Sequence, residues 1–370
     1  MLTWLEIDSG AIKHNLQQFR KIIGPERLLM PVIKANAYGH GFLEVAKICA
    51  KDKEVNRICV VSSDEALELI KNKIKKPIMI LSFYDLDKKI LLKLAKNKVI
   101  FPLFSLKQAK ILNGVGEELG KRIKVHLKLD TGTSRVGILP HEIRNFIQKI
   151  KKYKYLEVEG VWSHFASSED DVEYTEKQYQ NFIQALKILK GEGIDPPIKH
   201  MSCSAATITF KLDIFNAVRI GLGTYGLYPA EQTRHKINLQ PALSWYTTVI
   251  QTKEVPSGTR IGYGSTHTTE KTTKLAIIPV GYWDGYDRRF SNKAVVLIKG
   301  IKCPVLGRIC MNLTIVDTTD VPDVKIGDKV ILIGEDKKQK IMVDDLAIWA
   351  DTINYEIVDR INPLLPRIIK

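Results

Sequence analysis

The chain has 370 residues, more than one ordinary core accommodates, so two domains or a barrel with an appendage are expected. Hydrophobic residues make up 45% and charged residues 26%, which excludes a disordered chain, and no apolar run approaches the length of a membrane span. The net charge of +15 is scattered through helical segments, as at Lys73, Lys75, Lys76 and Lys149, Lys151, Lys152, so nucleic acid is not the expected partner.

In chain order, Met1 to His14 contains Glu6 and Asp8 and lacks the basic-then-apolar order of a signal peptide, which makes the cytoplasm the expected compartment. From residue 30, short apolar runs alternate with amphipathic segments. The runs are 30–35, 58–62, 78–82, 99–104, 124–129, 158–164, 198–202 and 217–220. Helices are expected over 42–49, 63–71, 86–96, 106–112, 141–152, 174–190 and 205–210, one after each of the first seven runs. Ser63-Asp64-Glu65 is a helix start, and Gly191 and Gly193 are stop signals. Eight such alternations over about 200 residues predict a (β/α)8 barrel. A doubly wound open sheet is the alternative, but its first turn would carry a G-x-G-x-x-G that is absent here.

After about residue 237 the texture changes to short β-branched segments at 244–253, 274–280, 294–298, 314–316 and 329–333. Turn signals such as Pro256-Ser257-Gly258 and Ile326-Gly327-Asp328 separate them, and one helix is expected over 343–349. The expected architecture is α/β: a TIM-type barrel over 1–236 and a mainly-β domain over 237–370. Five cysteines without a C-x-x-C pair argue against a disulfide framework or a structural zinc site, and no metal is expected.

In such barrels the reacting groups lie at the C-terminal ends of the strands. Polar residues gather at those ends here. Lys34 closes the first run, Lys128, Asp130 and Arg135 follow the fifth, and His164 ends the sixth. Ser202 and Ser204 follow the seventh run, and Arg219-Ile220-Gly221 closes the eighth. Singly, each has a plain structural explanation: a strand reaching solvent, a core histidine, an ion-pair partner. Together they describe a cationic mouth that expects an anion. Ser204 and the Gly221 backbone lie where barrels often hold phosphate, and Tyr38 with the glycines at 39 and 41 could approach the same group. A lysine beside a phosphate-bearing aldehyde is the chemistry of pyridoxal phosphate.

Val32-Ile33-Lys34-Ala35-Asn36-Ala37-Tyr38-Gly39-His40-Gly41 closely resembles the cofactor-lysine signature of alanine racemases. The resemblance continues through Lys128-Leu129-Asp130-Thr131-Gly132, Trp162-Ser163-His164-Phe165-Ala166, Val218-Arg219-Ile220-Gly221 and Arg260-Ile261-Gly262-Tyr263-Gly264. It extends to Ile278-Pro279-Val280-Gly281-Tyr282, Gly307-Arg308-Ile309-Cys310-Met311 and Thr352-Ile353-Asn354-Tyr355-Glu356, covering nearly the whole chain in order. It implies interconversion of L- and D-alanine with pyridoxal 5'-phosphate in a head-to-tail homodimer. Lys34 is then the imine-forming lysine and one acid/base group, and Tyr263, supplied to the partner copy, is the other. Tyr38, Ser204, Gly221, Leu222 and Tyr355 would surround the phosphate. Arg219 would meet the pyridine nitrogen with His164 behind it, and Arg135 would meet the phenolic oxygen and the substrate carboxylate. Lys128 matches a position carbamylated in some relatives, Met311 would touch substrate through its backbone, and Tyr282 would narrow the way in. Three departures stand out: Thr133-Ser134 where Met-Gly is usual, Cys203 for Asn, and Asn312 for Asp.

The rival readings are a cofactor-binding protein without turnover, a decarboxylase on the same fold, and a racemase of another small amino acid such as serine. The β domain with Tyr263 argues against the first, and the missing decarboxylase signature against the second.

Overall fold

The computed structural model describes residues 1–211 and 213–370. They form two compact units. A barrel unit comprises Ala11–Lys34 and Val45–Gln240, and a β unit comprises Met1–Gly10, Ala35–Glu44 and Pro241–Lys370. The fold is a (β/α)8 barrel followed by a mainly-β domain, as the alternation of patterns predicts.

Strand β1 (Thr3–Ile7) opens the chain. The barrel strands follow: β2 (Leu28–Pro31), β3 (Ile58–Val60), β4 (Ile78–Ile80), β5 (Phe101–Leu103), β6 (Ile123–Lys128), β7 (Leu156–Trp162), β8 (Ile198–His200) and β9 (Ala217–Ile220). Parallel ladders join β2 to β9, β3 to β4, and β5 through β8. The remaining seams carry the bridges Val32↔Cys59 and Met79↔Ile100, with Asn216 N–Lys199 O (3.1 Å) and Arg219 N–Ser202 O (3.0 Å) between β8 and β9, so the sheet closes on itself. Closure leaves no edge strand. Strands β3, β4 and β5 are buried at every residue, as strands walled by helices on one side and a packed interior on the other must be.

The helices carry their own signals. Ser62 Oγ accepts from Glu65 N (3.3 Å), so the helix Ser63–Lys71 is capped one residue ahead of the expected start. Ser105 and Gln108 form a capping box on Leu106–Leu119, which runs a further two turns past the expected stop, to the left-handed Gly120. Ile143, Phe146, Ile147 and Ile150 put one apolar stripe inward on Ile143–Ile150, which a 3-10 turn over Pro140–Glu142 precedes. The helix Ser9–Ile23 was not among the expected elements.

In the β unit the strands are β10 (Leu243–Thr248), β11 (Gln251–Val255), β12 (Arg260–Ile261), β13 (His267–Thr268), β14 (Thr273–Ile278), β15 (Val295–Ile298), β16 (Ile301–Pro304), β17 (Thr314–Asp317), β18 (Lys329–Asp336), β19 (Gln339–Ile341) and β20 (Arg367–Ile369). One sheet has the order β16-β15-β18-β10-β1-β20 with β19 beside β18; a second is β11-β14-β17; β12 and β13 form a hairpin. The single strand expected over 244–253 is two. The chain crosses from one sheet to the other at Val249 and Ile250, whose amides bond Asp328 O and Ile277 O. Mostly buried β10 and exposed β11 thus belong to different layers. Trp245, Tyr286 and Phe290 pack edge-to-face in the core, at 5.9 and 5.0 Å between successive centroids. No described helix is long and apolar enough to cross a membrane.

Candidate active site

The chain leaves β2 through Val32 and Ile33, and Lys34 follows. Ala35, Asn36, Ala37 and Tyr38 then take φ of 52, 53, 53 and 52°, one turn of left-handed helix built from L-residues. Each costs roughly 1–2 kcal/mol, because Cβ crowds the following carbonyl. Several bonds hold the turn. Asn36 O accepts from Gly41 N (2.9 Å), and Asn36 Oδ1 accepts from Phe42 N (2.9 Å). Arg367 Nε donates to Gly39 O (2.8 Å). At Gly39 (φ 76°) a Cβ would stand 1.9 Å from Val358 O, so only glycine passes there. The Tyr38 and Tyr355 rings lie 6.1 Å apart, tilted by 46°. Strain of this kind persists only where the surroundings enforce it, and it gathers at functional sites.

In the barrel unit the cations gather around Trp162, the last residue of β7. Lys128 Nζ lies 4.5 Å and Arg219 Cζ 4.6 Å from its ring centroid, and the His200 ring stacks on it at 5.5 Å. Arg219, at 3% exposure, donates from Nη1 to His200 Nδ1 (2.5 Å), and from Nη2 to Ser163 O (2.8 Å), Met201 O (3.1 Å) and His164 Nδ1 (3.2 Å). Among the described residues its Nε makes no bond, and none of Lys128, Arg135 and Arg219 has a carboxylate within ion-pair distance. Burial first, then the Arg219 charge, holds both His164 and His200 well below the ordinary imidazole value, so both are neutral acceptors. Lys34 adds its charge to the same effect on His164. Burial, followed by the Arg219 and Arg135 charges, pulls Lys128 down to about 7 against the opposing pull of Asp130.

Arg135 is exposed and stands on a loop that Asp130 organises. Asp130 Oδ1 accepts from the amides of Gly132 (3.0 Å), Thr133 (2.9 Å) and Ser134 (3.1 Å), and Oδ2 from that of Arg135 (2.8 Å). Although burial alone would raise it, these bonds and the Lys128 charge hold the Asp130 carboxyl below its usual value. Ser134 takes φ 50° here, a conformation that suits glycine better. On the other side of the rim, Ser204 Oγ accepts from Gly223 N (3.2 Å), just past Gly221 and the buried Leu222. Tyr225 donates to Val32 O (2.8 Å), tying that loop to the segment that leads from β2 to Lys34. Cys203 Sγ lies 3.3 Å from Ser168 Oγ.

The β unit carries the other candidates. Tyr263 sits in the turn of the β12–β13 hairpin and is 72% exposed. Tyr282 N and Trp283 N donate to Cys310 O (3.1 Å) and Met311 O (3.0 Å), which brings Tyr282 and Met311 together; a Cβ at Gly281 would stand 2.2 Å from Cys310 O. Tyr282 also lines a cleft of about 380 Å³ with Gly285, Asp287, Arg288 and Arg360.

Two family models cover the chain: "Alanine racemase, N-terminal domain" matches residues 7–229 and "Alanine racemase, C-terminal domain" matches residues 242–369. The chain belongs to the alanine racemase family. It is 42% identical to the alanine racemase of Methanococcus maripaludis over 99% of this chain and 98% of that protein. The solved alanine racemase of Clostridium difficile 630 matches it with a TM-score of 0.92 at 34% identity, over 100% of this chain and 96% of that one. The alanine racemase of Bacillus anthracis with bound L-Ala-P matches with a TM-score of 0.90 at 34% identity, over 100% and 95%.

Against the alanine racemase pattern, Ser134 keeps the backbone that the usual glycine would allow, and Asn312 is exposed. Sequence reasoning gave no role to Trp162 or His200. The signal for His200 was its place in Ile198–His200: a histidine two residues before Ser202 faces the same side of a barrel strand.

Proposed function

We propose that this alanine racemase family member interconverts L- and D-alanine with pyridoxal 5'-phosphate, as a head-to-tail homodimer in the cytoplasm, supplying D-alanine for cell-wall peptidoglycan. What supports the reading most is the barrel rim, where Lys34 follows strand β2, whose neighbour β9 carries the buried Arg219 guanidinium, backed only by neutral imidazoles and carbonyls. A desolvated guanidinium with donors to spare fits the acceptor nitrogen of a pyridine-ring aldehyde cofactor. In this reading residues 1–236 hold the cofactor and 237–370 complete the site of a second copy.

Ser204 with the Gly221 and Leu222 backbone would take the phosphate, where the family resemblance also places Tyr38 and Tyr355. Arg219 would meet the pyridine nitrogen through Nε–H, which its other contacts leave unused. Arginine gives up its proton to no ordinary base, so that nitrogen stays unprotonated. Arg135 would orient the substrate carboxylate, the Met311 backbone would touch the substrate, and Tyr282 would restrict side-chain size. Lys128, its ammonium pulled down to about 7 by burial, is suited to add carbon dioxide and present a carbamate to Arg135.

When bound, the cofactor supplies conjugation that acidifies the alanine Cα–H. Racemisation then needs a proton removed on one face and delivered on the other. Lys34 Nζ would exchange the proton with D-alanine, and Tyr263 Oη of a second copy would exchange it with L-alanine. The exposed Tyr263, Trp283, Met311 and Ile353 favour a second copy as their cover. Chiral chromatography of L-alanine and L-serine, with purified protein and with or without added pyridoxal phosphate, tests the reading. Cofactor-dependent appearance of D-alanine is expected; alanine that keeps its handedness would overturn it.

A further inference from the structure

We infer that Glu159 is a positioning residue for Arg219, acting through a buried relay of two neutral histidines that runs down the barrel interior; this deepens the reading of Arg219 given above and rests on it. Arg219 Nη1 meets His200 Nδ1, His200 Nε2 meets His126 Nδ1 (2.8 Å), and His126 Nε2 meets Glu159 Oε2 (3.0 Å). Both imidazoles are wholly buried, and Glu159 is 7% exposed. Arg57 and Lys124 each bond the Glu159 carboxylate at 2.7 Å. Burial alone would raise this carboxyl, but the bonds from His126, Arg57 and Lys124 hold it well below its usual value.

The order of protons follows from the two ends. A guanidinium only donates, so His200 Nδ1 accepts and Nε2 carries the hydrogen. His126 Nδ1 must then accept, and its Nε2–H donates to Glu159. Starting from the carboxylate, which only accepts, gives the same order. Burial, the first influence on both imidazoles, keeps them from taking a second proton. The Glu159 charge is balanced locally by Arg57 and Lys124, so Arg219 is oriented without being neutralised, and its charge stays available to a ligand.

The barrel is shaped around this relay. The β6–β7 register runs Val125↔Val158 and then His126↔Gly160, so Glu159 is the extra residue of a bulge, a device that re-aims a side chain. A Cβ on Gly160 would lie 2.4 Å from the His126 ring, so the glycine makes room for the imidazole.

Neutron diffraction from the deuterated holoenzyme, together with kinetics of Glu159→Gln, tests the inference. Deuterium is expected at Nε2 of both His126 and His200 and at neither Nδ1. Glu159→Gln keeps the shape but offers an amide that can donate as well as accept, so the order is no longer imposed. Its kcat should fall roughly ten- to a hundredfold, the scale of one hydrogen bond to a charged group, while KM for alanine stays within about twofold. Deuterium on either Nδ1 would overturn the relay, whether or not the variant folds. A folded Glu159→Gln with unchanged kcat would overturn its role. Absence of racemisation in the unsubstituted protein would instead defeat the proposed activity and leave the proton positions standing.

Discussion

Replacing Lys128 by methionine should flatten the pH dependence of stability. Lys128 is 4% exposed, and its ammonium falls from an ordinary 10.5 to about 7, with burial the first cause. That fall is worth roughly 5 kcal/mol between the charged and neutral forms. Between pH 7 and 10.5 the unfolded chain holds the Lys128 proton and the folded chain does not, so stability rises with pH across this window. Below it both states are protonated and the folded state bears the whole penalty; above it neither is, and the penalty is gone. From about pH 6 to about pH 9 the wild type should therefore gain roughly 3 kcal/mol more than Lys128→Met, which fills similar volume and cannot titrate. Urea unfolding of both proteins at the two pH values, in buffer freed of carbon dioxide, reads the difference. Parallel pH profiles would refute the reasoning. With bicarbonate added, the wild type alone should gain the mass of one carbon dioxide.

Tyr263→Ala should lower L-to-D turnover by roughly 10²–10⁴-fold with the cofactor still bound; wild-type rates in both directions, followed by circular dichroism, would remove it from the mechanism. Gly39→Ala should cost roughly 3 kcal/mol or more in urea unfolding, because its Cβ would meet the Val358 carbonyl. A loss under about 1 kcal/mol would mean the left-handed turn relaxes freely. Arg219→Glu should give long-wavelength absorbance and transamination product with alanine, because a carboxyl group can protonate the pyridine nitrogen where a guanidinium does not; an unchanged spectrum and no side product would contradict that role.

The barrel was legible because strands such as Ile58–Val60 and Ile78–Ile80 are buried throughout and read as short unbroken apolar runs between amphipathic helices. Strand β1 was not. Its alternating burial is ordinary locally, and its pairing with β10 (Trp4↔Tyr246) is decided by residues more than 200 positions away. The division at Val249 and Ile250 was equally hidden, since β-branched residues continue across it. At the rim, Lys34, Lys128 and Arg219 were visible as polar residues where apolar runs end. The conformation after Lys34 was not, because Ala35, Ala37 and Tyr38 carry no preference for positive φ and only Asn36 tolerates it well. Glu159 was hidden for another reason: a carboxylate inside Leu156–Trp162 looks like an outward-facing residue until the bulge turns it toward His126.

The terms concentrated near Lys34 share one sign. Lys128 and Arg219 are stripped of water with no carboxylate at ion-pair distance, and the next four residues of the chain after Lys34 are left-handed. Each lowers the stability of the ligand-free chain. Capture of a phosphate alone asks for much less, because backbone amides at a loop suffice. An imine-forming lysine alone would hold an aldehyde cofactor; a guanidinium whose neutral acceptors leave Nε–H uncommitted, and a tyrosine exposed on a hairpin turn, are superfluous for its storage. Reaction at both faces of one carbon needs a second acid/base group beside the lysine, which the tyrosine can provide. That difference in requirement, rather than the barrel itself, argues for turnover over mere binding.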